Sequence, residues 1–127
     1  MRPAASWAAV AFVLALTVVA GCGGDDSGSA YRQPKGPAQT TLRVQAGNFY
    51  FKPSTVNGPA GIDKVELVGK GGTHTLVIDG VNGFKLKVDG DGDHDAAKVR
   101  FAPGRYTFYC DIPGHRDAGM EGQFRIT

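Results

Sequence analysis

The sequence predicts an all-β protein, a Greek-key β-sandwich of about eight short strands. The chain has 127 residues, which is enough for one domain. Its 19 Gly and 7 Pro suit many strands joined by turns and disfavour a helical bundle. From about residue 40 onward, apolar and polar residues alternate as in half-buried strands, and no segment has helical periodicity.

The first 21 residues are predicted to be a signal peptide. Arg2 supplies a positive start, and residues 8–20 are apolar except for one Thr, too short a run to span a bilayer comfortably. Val19-Ala20-Gly21-Cys22 resembles the lipobox of bacterial lipoproteins, and this resemblance implies that Cys22 becomes a lipid-modified N-terminus. The alternatives are an ordinary signal peptide with an incidental Cys, or a disulfide between Cys22 and Cys110.

Residues 22–39 are predicted to be a flexible linker, because they are mostly Gly, Ser, Pro and polar residues that cannot bury a core. The folded domain is assigned to residues 40–127. The formal net charge is +2 and the basic residues are scattered singly, so no nucleic-acid partner is expected. We expect a monomer outside the cytoplasm, anchored to the cell membrane through Cys22.

The domain divides into strand-like segments separated by Gly- and Pro-containing turns. In order, these segments are residues 41–46, 48–53, 63–68, 73–78, 84–88, 97–101, 105–110 and 120–127. Tyr106 follows the turn at Pro103-Gly104 and precedes Cys110 on the same strand. This position resembles the tyrosine corner of Greek-key sandwiches.

Residues 89–95 form an acidic segment with four Asp at alternate positions. The EF-hand pattern requires Gly at its sixth position and Glu at its twelfth, but here these are His94 and Arg100. The segment is therefore predicted to be a solvated loop, with weak calcium binding as the alternative. Exposed turn residues surround His94, which makes it a poor candidate for a metal ligand.

Cys110, His115 and Met120 have C-x4-H-x4-M spacing. Thiolate, imidazole and thioether are soft donors that suit copper. The alternation predicts that Cys110 ends one strand and Met120 begins the next, both pointing inward, with His115 in the loop between them. A second imidazole is available from His74, which shares a strand face with apolar residues; a core histidine with satisfied hydrogen bonds is the alternative.

Residues 41–127 resemble the cupredoxins, the blue-copper protein family. Two motifs carry the resemblance: Gly72-Thr73-His74, and Tyr109-Cys110-Asp111-Ile112-Pro113-Gly114-His115-x4-Met120-Glu121-Gly122. The family pattern implies one Cu(I)/Cu(II) ion with His74 and His115 as imidazole ligands, Cys110 as thiolate ligand and Met120 as weak axial ligand.

Two further residues, Thr75 and Asp111, are expected to support the ligands without binding the metal. Many cupredoxins have an Asn after the first His, and its side chain ties the two ligand loops together. Here that residue is Thr75, whose shorter hydroxyl predicts a weaker or different connection and leaves the reduction potential open.

The resemblance implies an electron carrier that is not an enzyme. We expect an exported, membrane-tethered protein that passes one electron between redox partners in the membrane or extracytoplasmic space. Small and apolar residues flank His115, which is the expected point of electron exit. The alternatives are a copper store or chaperone, a copper enzyme, which would need a further copper site, and a structural sandwich with an inert Cys110.

Overall fold

The computed structural model describes residues 30–127, so the predicted signal peptide (1–21) and Cys22 lie outside the described residues. The described residues form nine strands: β1 Thr41–Gly47, β2 Tyr50–Lys52, β3 Thr55–Gly58, β4 Gly61–Gly69, β5 Thr73–Ile78, β6 Lys85–Asp89, β7 His94–Phe101, β8 Gly104–Tyr109 and β9 Glu121–Ile126. Within residues 30–127, no helix has the length and apolar character needed to cross a membrane. The all-β prediction is confirmed.

The strands form two sheets, in the orders β2-β1-β4-β7 and β3-β9-β8-β5-β6. Two pairs, β1 with β4 and β3 with β9, are parallel, while the others are antiparallel. The additional strand arises because β2 and β3 flank Pro53, which has no N–H for a ladder hydrogen bond. The chain therefore leaves one sheet after β2 and enters the other at β3.

The inner faces of the two sheets enclose an apolar core, as the alternation of apolar residues predicts. Its fully buried side chains include Val44, Leu67, Leu76 and Phe124. Phe124 packs against Phe108 with the ring centroids 4.5 Å apart. These large side chains provide most of the hydrophobic stabilisation and hold the two sheets in a fixed relation.

Tyr106 forms the corner predicted for it. Its hydroxyl donates to the carbonyl oxygen of Ala102 at 2.8 Å, four residues upstream. The same ring packs on Phe101, with the centroids 4.9 Å apart. The contact fixes the turn between β7 and β8, and so the start of the strand that leads to Cys110.

Part of the predicted linker packs on the sandwich. The Tyr31 ring lies edge-on to Phe84 at 5.1 Å, and its hydroxyl donates to the carbonyl of Lys98 at 2.6 Å. The Lys98 backbone N–H donates to the Gln33 side chain at 2.8 Å, and its ammonium donates to the carbonyl of Gly36 at 2.6 Å. Residues 31–36 thus cover β7, an edge strand of the four-stranded sheet.

The acidic loop connects β6 to β7, and its carboxylates accept backbone hydrogen bonds. Asp93 accepts the N–H groups of Asp89 at 2.8 Å and His94 at 2.9 Å, and Asp95 accepts the N–H of Lys87 at 3.1 Å. β7 begins at the exposed His94, three residues earlier than the predicted start at residue 97. These contacts are those of a solvated turn.

Candidate metal centre

Three of the predicted ligands meet at one end of the sandwich. The metal-binding atoms of His74, Cys110 and His115 all lie within 4.8 Å of one another. No other group of His, Cys, Asp or Glu side chains in residues 30–127 has a comparable arrangement. His74 lies near the start of β5 and Cys110 directly follows β8, an antiparallel neighbour, so the two positions are brought to the same edge.

His74 is fully buried, and its ring is oriented by the backbone. Its Nε2 lies 2.8 Å from the carbonyl oxygen of Gly71, which accepts the ring N–H, and Nδ1 has no hydrogen-bond partner among the described residues. Burial lowers the pKa of His74, the bond to Gly71 partly offsets this, and His115 lowers it further. A neutral imidazole with a free Nδ1 lone pair is the form that binds a metal.

Cys110 is a fully buried free cysteine next to the second imidazole. Its Sγ lies 3.5 Å from Nδ1 of His115. The backbone N–H of Thr75 donates to the same sulfur at 3.4 Å. The thiolate is the form of cysteine that binds a metal, and the Thr75 N–H helps to hold this sulfur in place.

Met120 is fully buried, and its backbone joins the other two residues of the C-terminal motif. Its N–H donates to the carbonyl oxygen of His115 at 3.1 Å, and its own carbonyl accepts the N–H of Cys110 at 3.2 Å. These bonds close the loop of residues 111–119 and hold its ends together. The role of Met120 as an axial ligand stays a prediction.

Thr75 and Asp111 connect the two ligand-bearing segments. The Thr75 hydroxyl donates to Oδ1 of Asp111 at 2.6 Å and accepts the Asp111 backbone N–H at 3.0 Å. Oδ2 of Asp111 forms an ion pair with Lys85 Nζ at 2.5 Å. The connection at this position is thus made by the Thr75 hydroxyl, which donates to the Asp111 carboxylate and accepts from the Asp111 backbone N–H.

Burial by itself would raise the pKa of Asp111. The Lys85 ammonium and the Thr75 hydroxyl lower it by more, and the net pKa lies below its ordinary value. Asp111 is consequently a carboxylate at neutral pH.

Gly72 leaves room for the first ligand. Its φ is +75°, and a Cβ there would lie 2.7 Å from Oδ1 of Asn48 and 3.1 Å from Nε2 of His74. Glycine is therefore needed both for the backbone conformation and for the space beside the imidazole.

Several apolar or small residues are exposed near His115. The Phe49 ring lies edge-on to the half-buried His115 ring, 5.1 Å between centroids, and is 48% exposed. Phe49 has a φ of +63°, which is uncommon for a residue other than Gly. In the loop that carries His115, Pro113, Ala118 and Gly119 are exposed, as are Arg116 and Asp117.

Sequence reasoning did not identify Phe49, Gly71 or Lys85 as parts of this site. The Gly pair before the first ligand was a usable signal for Gly71, since it allows the backbone to approach the imidazole. Lys85 carries no such signal, because it alternates with apolar residues as any outward-facing strand residue does. Phe49 resembled an ordinary strand aromatic.

The donor set fits copper. One buried sulfur, two imidazole nitrogens and a buried Met beside them are the ligands that copper prefers over hard cations. The unpartnered Nδ1 of His74 would otherwise cost about 1–3 kcal/mol as a buried polar atom, so coordination accounts for it.

Comparisons with known proteins agree with this donor chemistry. Residues 38–127 match the family model described as copper binding proteins, plastocyanin/azurin family. No curated protein sequence matches the chain.

Solved structures share the fold. Dithionite-reduced auracyanin from the photosynthetic bacterium Roseiflexus castenholzii is 19% identical with a TM-score of 0.60, covering 72% of this chain and 99% of that one. Auracyanin B is 22% identical with a TM-score of 0.60, covering 79% and 96%. Oxidized plastocyanin from Dryopteris crassirhizoma is 28% identical with a TM-score of 0.55, covering 67% and 99%.

Proposed function

Because this chain belongs to the plastocyanin/azurin family of copper-binding proteins, we propose that it is a mononuclear type 1 copper protein that carries electrons. The observation that carries the proposal is the convergence of His74, Cys110 and His115 within 4.8 Å. In this assignment the buried Met120 would supply a fourth, weaker ligand through its thioether sulfur. The protein is a carrier and not an enzyme.

Bound copper supplies a one-electron couple, Cu(I)/Cu(II). The task of the protein is to hold one ligand geometry that suits both oxidation states. Gly71 fixes the His74 ring, Thr75 holds the Cys110 sulfur, and the Met120 backbone joins Cys110 to His115. A site that rearranges little on electron transfer has a low reorganisation cost.

The His115 ring is proposed as the point of electron exit. It is half buried, and its neighbours Phe49, Pro113, Ala118 and Gly119 present an exposed apolar surface. A partner surface that excludes water can approach the imidazole edge closely there.

Export and anchoring are parts of the same proposal. Their support is the resemblance of Val19-Ala20-Gly21-Cys22 to a lipobox. A monomer tethered through Cys22 would exchange electrons with a redox protein in the membrane or extracytoplasmic space.

The exit site is tested by electron self-exchange between the oxidised and reduced copper-loaded protein, measured by NMR line broadening. The substitution Ala118→Glu at an exposed position is expected to slow self-exchange about tenfold or more. The reason is that two negative charges would meet where two copies of the protein come into contact. Ala102→Glu adds the same charge at another exposed alanine, between β7 and β8, and is expected to change the rate less than about twofold.

Two outcomes contradict the proposed function. The copper-loaded protein should have a strong visible thiolate-to-copper absorption, and Cys110→Ser should abolish it. The first contradicting outcome is that this absorption is missing from the parent protein or persists in the variant. The other is release of copper to a chelator within seconds, which would indicate a store or chaperone. Equal self-exchange rates in the two glutamate variants would contradict the exit site alone.

A further inference from the structure

We propose that Lys85 is a positioning residue for the copper site, whose ion pair with Asp111 raises the reduction potential through Thr75. The inference rests on the proposed function and adds a surface residue to it. Lys85 lies at the start of β6, outside the ligand motifs, and its side chain is 51% exposed.

An unbroken series of polar contacts connects Lys85 to the thiolate. Its Nζ pairs with Oδ2 of Asp111 at 2.5 Å, and Oδ1 of Asp111 accepts the Thr75 hydroxyl at 2.6 Å. Thr75 contacts the Cys110 sulfur through its backbone N–H at 3.4 Å and its hydroxyl oxygen at 3.5 Å. Thr75 is only 5% exposed, so solvent screens this inner part little.

The Thr75 hydroxyl has one proton and two acceptors within reach. The Asp111 carboxylate is closer than the sulfur, 2.6 Å against 3.5 Å, and it is the stronger acceptor. The proton is therefore directed to Asp111, and the sulfur retains the backbone N–H of Thr75. Lys85 offsets the negative charge that this arrangement places next to a metal ligand.

The sign of the effect follows from charge. Reduction adds one electron, so the reduced site carries one positive charge fewer than the oxidised site. Without Lys85, the carboxylate of Asp111 acts unopposed and favours the more positive, oxidised state. Loss of the lysine charge should therefore lower the reduction potential.

The experiment compares Lys85→Gln with Lys87→Gln in the copper-loaded protein. Lys87 is on the same strand, its side chain is 58% exposed, and it lies opposite Thr75 in the β5–β6 register, but its ion-pair partner is Asp89 at 3.6 Å. Both variants remove one positive charge beside the site. Only Lys85→Gln removes the contact with Asp111.

For Lys85→Gln we expect the equilibrium constant of electron exchange with a reference couple to shift about threefold to tenfold toward the oxidised form, where tenfold corresponds to 59 mV. The thiolate-to-copper absorption maximum should shift in the same variant. Lys87→Gln should change this equilibrium constant by less than about twofold. Lys85→Arg keeps the positive charge and should leave the constant at the parent value.

A double-mutant cycle tests the route. In an Asp111→Asn background, Lys85→Gln should have an effect below about twofold, because the group through which it acts is gone. An equal effect in both backgrounds, or equal potentials for the Lys85 and Lys87 variants, would overturn the inference. In either case a blue protein with normal self-exchange leaves the proposed function intact, whereas a protein without the thiolate-to-copper band contradicts the function itself.

Discussion

Replacement of Gly72 by alanine tests how the backbone holds the first histidine. The added methyl would lie 2.7 Å from Oδ1 of Asn48 and 3.1 Å from Nε2 of His74. A 2.7 Å contact cannot persist, so Asn48 or the backbone must move, and the imidazole must yield by a few tenths of an ångström. The hydrogen bond between His74 Nε2 and the Gly71 carbonyl is the interaction that this movement would weaken first.

Gly92→Ala is the matched control. Its φ of +81° is close to the +75° of Gly72, but a Cβ there would meet nothing within 4 Å. Both substitutions carry the cost of placing alanine at positive φ, about 1–2 kcal/mol. Gly72→Ala should lose about 0.5–1.5 kcal/mol more, the net value of one hydrogen bond, in urea unfolding of the copper-free protein.

The decisive difference is in copper binding. Loss of a contact that orients a metal-binding histidine typically lowers metal affinity about 10- to 100-fold. We expect this loss in Gly72→Ala, measured by competition with a copper chelator, and less than about threefold in Gly92→Ala. If the two variants bound copper equally well, Gly71 and Gly72 would not be what positions His74.

Two further predictions concern the fold. Asp63 is fully buried, and neither carboxylate oxygen has a hydrogen-bond partner among the described residues; the Gln39 amide donates to the carbonyl of Ala60. Burial raises the pKa of Asp63 above its ordinary value of 3.8. The ionised carboxylate therefore destabilises the fold above the folded-state pKa, and this penalty disappears below 3.8. Asp63→Val should therefore raise the free energy of unfolding by about 1–3 kcal/mol at pH 7 and by less at pH 4; an equal gain in urea unfolding at both pH values would contradict the reasoning. Tyr31→Phe should lose about 0.5–1.5 kcal/mol, because it removes the bond to the carbonyl of Lys98, with the copper spectrum unchanged. The exposed Tyr50→Phe is its control, and equal stabilities of the two variants would mean that the Tyr31 hydroxyl bond does not stabilise the domain.

The alternation of apolar and polar residues predicted most of the strands. It did so because successive side chains of a strand point to opposite faces, which is a local property of the sequence. It also predicted the inward positions of Cys110 and Met120, which are both fully buried. It did not predict that β2 and β3, on either side of Pro53, would lie in different sheets. It also did not predict that β7 would begin as early as His94. Those boundaries depend on which strand lies alongside, and local periodicity does not contain that information.

The packing of Tyr31 shows the same limit. A segment rich in Gly, Pro and polar residues has no apolar pattern of its own, so composition predicted a flexible linker. Its contacts with Phe84 and Lys98 join residues more than fifty positions apart. Such contacts exist only once the strands are assembled.

The sequence by itself determined the donor chemistry: a soft C-x4-H-x4-M set, and an upstream strand histidine beside a Gly pair. The type of side chain decides which metal is preferred, and the sequence gives the side-chain types directly. The family resemblance implied His74 as a ligand, and the surrounding turn residues made His94 a poor candidate. Only the tertiary structure shows that the three donor atoms lie within 4.8 Å of one another, how Thr75 and Asp111 bond to each other, and that Lys85 pairs with Asp111. The contacts between these segments join residues 26 to 41 positions apart, and they arise from strand pairing, which is a property of the whole sandwich.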